Sequence, residues 1–297
     1  MGTDQPHIAV VLHMIEHQPF GLLFKEEFEA AIAESGQDLS LEFVDSHGIA
    51  AEQVRHLERL LERRPAALVL MAIEPGSVKP VVRRYRAAGI PVIVVDNDLG
   101  EPELHRSLLL PDNRAFGRRM AEFFLEASGG KGHVLELRGV PGSCPAEERS
   151  RGFREVIASH PGLRIVETLT ADWLHARARE LVLAWLPQHP EVDCVFAQND
   201  EMARGAWDAG CALGREDELL ITGVDAIKGQ GLSMVLQGKL AASLMNPSAG
   251  RPAALQLLAL LAGEPTLSRT VLQTSLIRSN ERVRTWQAAR ARRAGKP

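Results

Sequence analysis

Five polar residues that could bind a hydroxylated ligand follow apolar, strand-like runs of the sequence: Asp96, Arg149, Asn199, Asp225 and Asn246. Together they offer carboxylate acceptors, a guanidinium group that only donates, and amides that do both. This mixture suits sugar hydroxyl groups, because each hydroxyl is a donor and an acceptor at once. The recurrence in both halves of the chain is the informative feature, since a single Asp after a strand is more typical of a helix cap. We interpret Asp112 and Asp200 as caps, and Asn113 as an alternative to Asp112.

Two aromatic residues could supply the apolar part of such a site. Phe20 follows the first strand-like run, and Trp173 lies in a loop before a helix. The C–H face of a pyranose packs on an aromatic ring, and aromatic residues make up only 5% of the chain. A loop tryptophan is equally typical of a local core anchor, so both interpretations of Trp173 stay open.

These residues need a scaffold of strands that end at a common edge. Apolar runs at 8–12, 41–44, 67–71, 91–95, 133–137, 163–166, 193–197, 219–223 and 240–244 predict strands. Stretches at 24–34, 51–63, 78–88, 115–127, 147–159 and 175–186 predict helices. Continuous apolar strands alternating with amphipathic helices indicate parallel sheets covered on both faces, and hence doubly wound α/β lobes. In such sheets ligands bind beyond the carboxyl ends of the strands.

Length and composition limit the classes of protein that fit. A chain of 297 residues favours two lobes over a single core. The formal net charge of −4 offers no broad basic field for nucleic acid. No apolar run approaches the roughly 20 residues that span a bilayer. The last residues, 288–297, predict a basic, solvated helix that frays.

The first residues contain no basic segment followed by an apolar one, which predicts that a signal peptide is absent from this sequence. Cys144, Cys194 and Cys211 have neither disulfide-framework nor zinc-site spacing. Among them, we expect Cys144 to be the reactive thiol. His13 and His17 are four residues apart without a third ligand, so we predict no metal site and no cofactor, and place His17 as a candidate pocket residue.

Several segments resemble the ribose-binding protein and its relatives, the type I periplasmic sugar-binding proteins. The nearest stretch is 195–206, VFAQNDEMARGA; segments 136–153, 90–96 and 238–243 also match, and the resemblance runs from about residue 8 to 276. It implies two Rossmann-like lobes joined by a three-stranded hinge. The implied N-terminal lobe comprises 1–111 with 247–275, and the implied C-terminal lobe 112–246 with 276–297.

The resemblance also implies roles for individual residues. Phe20 and Trp173 would stack on the sugar, and Asp96 and Arg149 would bind hydroxyl groups from opposite lobes. The remaining candidate ligand-binding residues are Gln18, Asn97, Asn199, Asp225 and Asn246, and Glu74 joins His17 as a candidate pocket residue.

Three positions depart from the family pattern. Gly21 replaces a second stacking phenylalanine, Asn97 stands where an arginine is common, and Glu74 lies where an asparagine is usual. We therefore expect a hexose, a polyol or a larger derivative rather than ribose.

The predicted function is capture of a monosaccharide or polyol between two lobes and its delivery to an ABC transporter permease. We expect a monomeric, periplasmic protein that is not an enzyme and does not bind nucleic acid. A sugar-sensing lobe for a kinase or chemoreceptor is an alternative. The ligand-binding core of a lactose-repressor-type regulator is another, although the first strand leaves no room for a DNA-binding headpiece. A glycosidase is disfavoured because Arg149 would keep nearby carboxylates ionised.

Overall fold

The computed structural model describes residues 5–15 and 18–295, and the chain within it divides into two compact units. Unit 1 contains the described residues up to Pro111 together with Pro247–Gln273. Unit 2 contains Asp112–Asn246 and the described residues from Thr274 onward. The chain therefore passes from one unit to the other three times.

Unit 1 is built on a six-stranded parallel sheet in the order β11-β5-β4-β3-β1-β2. With elements numbered along the whole chain, its strands are β1 (His7–Leu12), β2 (Ser40–Asp45), β3 (Ala67–Leu70), β4 (Val92–Val95), β5 (Ser107–Pro111) and β11 (Arg269–Leu272). Its helices are α1 (Pro19–Ser35), α2 (Ala50–Glu62), α3 (Pro75–Ala87) and α9 (Gly250–Leu261).

Unit 2 repeats this architecture with a six-stranded sheet in the order β12-β10-β9-β8-β6-β7. Its strands are β6 (Gly132–Arg138), β7 (Leu163–Thr170), β8 (Cys194–Ala197), β9 (Leu220–Asp225), β10 (Ala242–Met245) and β12 (Leu276–Arg278). Its helices are α4 (Asn113–Ser128), α5 (Cys144–Ile157), α6 (His175–Trp185), α7 (Asp200–Ala212), α8 (Gly231–Leu236) and α10 (Asn280–Arg293). Only β12 pairs antiparallel among the described strands of this sheet.

The central strands are buried on both faces, which explains their uninterrupted apolar sequences. β3, β4 and β8 are buried at every residue, and helices cover the two faces of each sheet with separate apolar clusters. The predicted class, two doubly wound α/β lobes with parallel sheets, is confirmed. No helix among the described residues is long and apolar enough to cross a bilayer.

The prediction of a solvated C-terminal helix at 288–297 holds for part of the segment: Ala288 and 292–295 are exposed, whereas Ala289 is buried and Arg290 is half-buried. Trp286 of α10 is fully buried, and its Nε1 donates to the Asp193 carbonyl at 2.9 Å. Arg290 donates from Nη2 to the Lys131 carbonyl at 2.9 Å, and Arg293 donates to the Pro190 carbonyl. Arg290 and Arg293 therefore bind carbonyl groups of unit 2, where sequence alone suggested solvation.

Candidate functional site

The structure places five of the predicted ligand-binding residues at the carboxyl edge of the unit 2 sheet. Arg149 lies in α5 after β6, Trp173 follows β7, and Asn199 follows β8. Asp225 ends β9, and Asn246 directly follows β10. Because neighbouring parallel strands end on the same side, their side chains share one edge. We call these five residues, together with Asn113, which contacts Arg149, the unit 2 polar edge.

Arg149 is held rigidly in this edge. It is only 3% exposed, its Nε donates to Asn113 Oδ1 at 2.9 Å, and its Nη1 donates to the Gln198 carbonyl. The guanidinium carbon lies 5.4 Å from the Phe116 ring centroid and 5.7 Å from that of Trp173. These contacts combine cation–π attraction with charge-assisted hydrogen bonds and fix the plane of the guanidinium group.

Asn113 is a site residue that the sequence did not identify beyond a possible helix cap. A guanidinium group can only donate, so the Asn113 oxygen must face Arg149 and the amide orientation is fixed. Its Nδ2 then points away from Arg149; the residue is 3% exposed, and Nδ2 has no partner among the described residues. The sequence signal, an Asn after the capping Asp112, indicated only the helix start. Asp112 itself caps α4 as predicted, accepting from Ala115 N at 2.8 Å.

The Trp173 ring lies over a backbone that leaves room for it. A Cβ on Gly139 would lie 2.0 Å from indole carbon atoms, so only glycine fits there. Asp172 and Trp173 both have positive φ, 54° and 67°, which turns the indole back toward the loop after β6. The ring is half-buried and packs against the apolar cluster of unit 2. Trp173 thus anchors the core while remaining partly accessible.

The segment that follows β8 organises the middle of the edge. Gln198 is fully buried, and its Oε1 accepts from Gly139 N at 3.1 Å while its Nε2 donates to Glu136 at 3.0 Å. Asn199 caps α7: its Oδ1 accepts from Met202 N at 2.8 Å, and its Nδ2 donates to the Trp173 carbonyl at 3.1 Å. The prediction that Asp200 caps α7 is wrong, because the preceding Asn199 fills that role.

Asp225 and Asn246 form a directly bonded pair. Asn246 Nδ2 donates to Asp225 Oδ1 at 3.1 Å, and Asn246 N donates to the Asp225 carbonyl at 3.2 Å. This contact fixes the Asn246 amide with its oxygen directed elsewhere. Asn246 is 4% exposed, and its Oδ1 accepts no hydrogen bond from the described part of the chain.

The corresponding edge of unit 1 carries the remaining predicted residues. Asp96 follows β4 with φ 64° and is 8% exposed. Asn97 is buried beside it and donates from Nδ2 to the Ala72 carbonyl at 2.6 Å, which ties the turn after β4 to the end of β3. Glu74 lies exposed just before α3, at the same edge.

Gln18 and Phe20 lie at the start of α1, after β1. Gln18 is buried, and half-buried Phe20 packs against the apolar cluster beneath α1. A Cβ on Gly21 would lie 1.8 Å from the Met14 carbonyl oxygen. This close approach explains why glycine replaces the second stacking phenylalanine. His17 lies outside the described residues.

The cysteine and metal predictions can be compared with the described side chains. Cys144 begins α5 and is partly exposed, Cys194 is buried and Cys211 is exposed. Burial raises the pKa of the Cys211 thiol. Within residues 5–15 and 18–295, no three His, Cys, Asp or Glu side chains are placed to hold a metal ion.

Comparison with known proteins gives consistent matches over most of the chain. A family model for the periplasmic binding protein domain matches residues 8–265. The ribose import binding protein of Escherichia coli (strain K12) is 29% identical over 237 residues, 80% of this chain and 78% of that protein. The D-apiose import binding protein of Paraburkholderia graminis is 27% identical over 252 residues, covering 84% and 78%.

A solved structure is similar along almost the whole chain. The fructose-binding periplasmic domain of a hybrid two-component system superposes with a TM-score of 0.87 at 27% sequence identity. The match covers 97% of this chain and 96% of that domain.

Proposed function

Because this chain belongs to the periplasmic binding protein domain family, we propose that it captures a monosaccharide or polyol and delivers it to an ABC transporter permease. Members of this family are binding proteins, which agrees with the prediction that the chain is not an enzyme. The resemblance to the ribose-binding protein family is likewise confirmed.

The observation that carries the proposal is a pair of buried polar atoms of opposite type at the unit 2 polar edge. Asn113 Nδ2 is a donor and Asn246 Oδ1 an acceptor, and neither has a partner in the described structure. A buried polar group without a hydrogen bond costs about 1–3 kcal/mol, so a ligand that satisfies both is favoured. A neutral hydroxylated molecule does so, because its hydroxyl groups donate and accept.

Arg149 and Asp225 strengthen this preference for hydroxyl groups. Arg149 brings a fixed cation and Asp225 a carboxylate to the same edge, so an ionic ligand of either sign meets a like charge. Hydroxyl groups can accept from one and donate to the other. The partly accessible face of Trp173 adds an apolar surface for the C–H groups of a sugar ring.

We extend the proposal to unit 1, where Asp96, Gln18 and Phe20 contribute to ligand binding, with Asn97 fixing the turn beside Asp96. The replacement of a phenylalanine by Gly21 removes one aromatic wall. We therefore favour a hexose or a polyol over ribose as the preferred ligand.

The first test is a thermal-shift screen over D-ribose, D-apiose, D-fructose, D-galactose and myo-inositol. A sugar at 100 times its Kd adds about 2.7 kcal/mol to the free energy of unfolding and raises the melting temperature accordingly. Calorimetric titration then gives the Kd of each sugar that produces a shift. If none of these or of a wider set of pentoses, hexoses and polyols binds, the proposed function is wrong.

Asn113→Asp tests the site itself. The substitution keeps the oxygen that accepts from Arg149 and replaces the Nδ2 donor by an acceptor of the same size. We expect the Kd for the best sugar to rise at least 10-fold, about 1.4 kcal/mol, with no loss of stability. Asn280→Asp is a matched control, because exposed Asn280 also accepts from an arginine, Arg278 Nε, at 2.9 Å. Unchanged affinity in Asn113→Asp would contradict the assigned edge.

A sensory role is the second candidate, favoured by the similarity to a periplasmic domain of a two-component system. Adjacent genes for a permease and an ATPase would support import, and an adjacent histidine kinase gene would support sensing. In either role we propose that the protein acts in the periplasm as a monomer. Size-exclusion chromatography with light scattering, with and without sugar, tests the oligomeric state.

A further inference from the structure

Asp200 is a buried carboxylate that none of the predicted binding roles uses. It is the first residue of α7 and is 6% exposed. Its side chain leaves the helix start to Asn199 and turns toward β9 and β10. Oδ2 accepts from Ala226 N at 2.6 Å, and Oδ1 accepts from Ser243 Oγ at 2.7 Å.

The turn that Asp200 contacts has an unusual backbone. Asp225 has φ 117° and Ala226 has φ 49°, two consecutive non-glycine residues in the positive-φ region. Residues with a Cβ adopt this region only where their surroundings hold them there. The short hydrogen bond from Ala226 N to Asp200 is such a restraint, and it acts on the residue next to Asp225.

The second bond of Asp200 reaches the strand that carries Asn246. Ser243 lies in β10, three residues before Asn246, so the two oxygens of one carboxylate join the turn after β9 to β10. The Asp225–Asn246 pair spans the same two strands. Asp200 is therefore bonded to both segments that carry that pair, through Ala226 next to Asp225 and through Ser243 in β10.

Two glycines, Gly223 and Gly231, leave just enough space for the Asp200 carboxyl group. A Cβ on Gly223 would lie 2.0 Å from Asp200 Oδ1, and one on Gly231 would lie 1.7 Å from Oδ2. β9 and α8 thus approach so closely that only glycine fits beside the carboxyl group. Burial, and then the charge of Asp225, raise the pKa of Asp200 well above its usual value, consistent with this enclosure.

We propose that Asp200 is a positioning residue that fixes Asp225 and Asn246 for ligand binding through its bonds to Ala226 and Ser243. The inference rests on the proposed function, since Asp225 and Asn246 are taken there as binding residues. Asp200 itself contacts backbone and Ser243, so its effect on affinity is transmitted through the turn after β9.

The test compares Asp200→Ala with Asp200→Asn, using the sugar that gives the largest thermal shift with the wild-type chain. An asparagine can accept from Ala226 N and donate to Ser243 Oγ, because a hydroxyl group can reverse its direction. We expect the Kd to rise at least 10-fold in Asp200→Ala and to stay within about threefold in Asp200→Asn. Glu201→Gln, at the next position, where the partly exposed side chain pairs with Arg204 of the same helix, is the control and should keep the wild-type Kd.

A double-mutant cycle with Asp225→Ala separates positioning from a general loss of stability. If Asp200 acts through Asp225, then Asp200→Ala adds much less to the Kd in the Asp225→Ala background than in the wild type. Full additivity of the two effects, or a wild-type Kd in Asp200→Ala, would overturn the proposal. If Asp200→Ala does not fold, the double variant Asp200→Asn with Ser243→Ala replaces it. The second substitution removes the hydroxyl group that accepts from the new amide, so the Kd should rise above that of Asp200→Asn alone.

The amide resonance of Ala226 provides a readout without any sugar. A hydrogen bond to a carboxylate moves an amide proton downfield, so this resonance should move upfield in Asp200→Ala and much less in Asp200→Asn. An unmoved resonance in Asp200→Ala would contradict the bond on which the proposal depends. A wild-type chain that binds none of the sugars contradicts the proposed function, whereas the Ala226 resonance still decides whether Asp200 fixes this turn.

Discussion

The carboxyl edges of the two sheets are built differently, although the sheets themselves are alike. At the unit 2 polar edge, two pairs of side chains are bonded to each other, Asn113 to Arg149 and Asn246 to Asp225, and Arg149 also donates to the Gln198 carbonyl. At the unit 1 edge, the described side-chain bonds of Asn97 and Gln53 go to the backbone after β3. One edge thus presents a preorganised array of polar groups, and the other uses polar side chains to fix its own turns.

The two edges also carry ionisable groups whose pKa values shift in opposite directions. His13 follows β1, and burial lowers its pKa to about 4, with the charge of Asp45 opposing the shift. Asp200 follows β8, and burial raises its pKa well above the usual value. In both units burial disfavours the charged form, but acid has opposite consequences: it forces a charge onto His13 and removes one from Asp200.

The largest expected loss of stability comes from removing Arg149 from the unit 2 polar edge. Arg149→Ala leaves the Asn113 oxygen and the Gln198 carbonyl without their donor, and hydrogen bonds to charged groups are worth about 1.5–3 kcal/mol each. We expect the free energy of unfolding to fall by about 3 kcal/mol or more, measured by urea denaturation, and the sugar-dependent thermal shift to disappear.

The unit 1 counterpart, Asp96→Asn, should lose at most about 1 kcal/mol, because asparagine tolerates positive φ. Its sugar affinity should still fall, since a charged acceptor becomes a neutral one. Arg151→Ala is the control on α5, since this exposed arginine makes a surface ion pair. Equal destabilisation by Arg149→Ala and Asp96→Asn would remove the contrast between the edges.

Acid titration of unit 1 gives the next effect. Between pH 6.5 and about 4 the unfolded chain binds a proton at His13 that the folded chain does not, so stability falls as pH drops through this window. The full difference corresponds to about 3 kcal/mol. His13→Asn should abolish this loss in urea titrations at pH 4, 5, 6 and 7. His47→Asn, at an exposed histidine of the same unit, should keep the wild-type dependence of stability on pH. If both variants show the same dependence, His13 is not the group responsible for the loss.

Sequence was sufficient for the scaffold and for residues whose position is set by a strand end. Asp225 and Asn246 come directly at or after apolar runs, and such positions follow from the strand pattern alone. The strands β5, β11 and β12 were not predicted. β11 and β12 are edge strands of three or four residues with partly exposed sequences, and β11 pairs with a strand about 160 residues earlier in the chain.

The residues that were missed depend on contacts between distant parts of the chain. Asn113 meets Arg149 across 36 residues, and Asp200 meets Ser243 across 43 residues. Nothing in the local sequence distinguishes Asn199 from Asp200 as a cap, because both residue types favour that position. Their roles follow from the residue at which α7 begins. Because the helix starts at Asp200, the Asn199 side chain caps it and the Asp200 side chain reaches β10.

A further expected effect concerns the pH dependence of the stability that Asp200 gives to unit 2. Because the pKa of Asp200 is raised on folding, the folded chain holds a proton that the unfolded chain releases between pH 3.8 and the raised value. Stability from this group is therefore present at low pH and is lost as pH rises through that window. Asp200→Asn removes the titration, so the wild type should gain stability relative to this variant on acidification from pH 7 to 4.5. The slope cannot exceed about 1.4 kcal/mol per pH unit for one proton.

The comparison is best made in the His13→Asn background, where the opposing response of His13 has been removed. Urea denaturation of His13→Asn, with and without Asp200→Asn, at each pH gives the contribution of Asp200 to the free energy of unfolding. A difference that stays constant with pH, or that changes in the other direction, would show that Asp200 does not hold a proton more tightly in the folded chain. The opposite pH responses of the two edges would then rest on His13 alone.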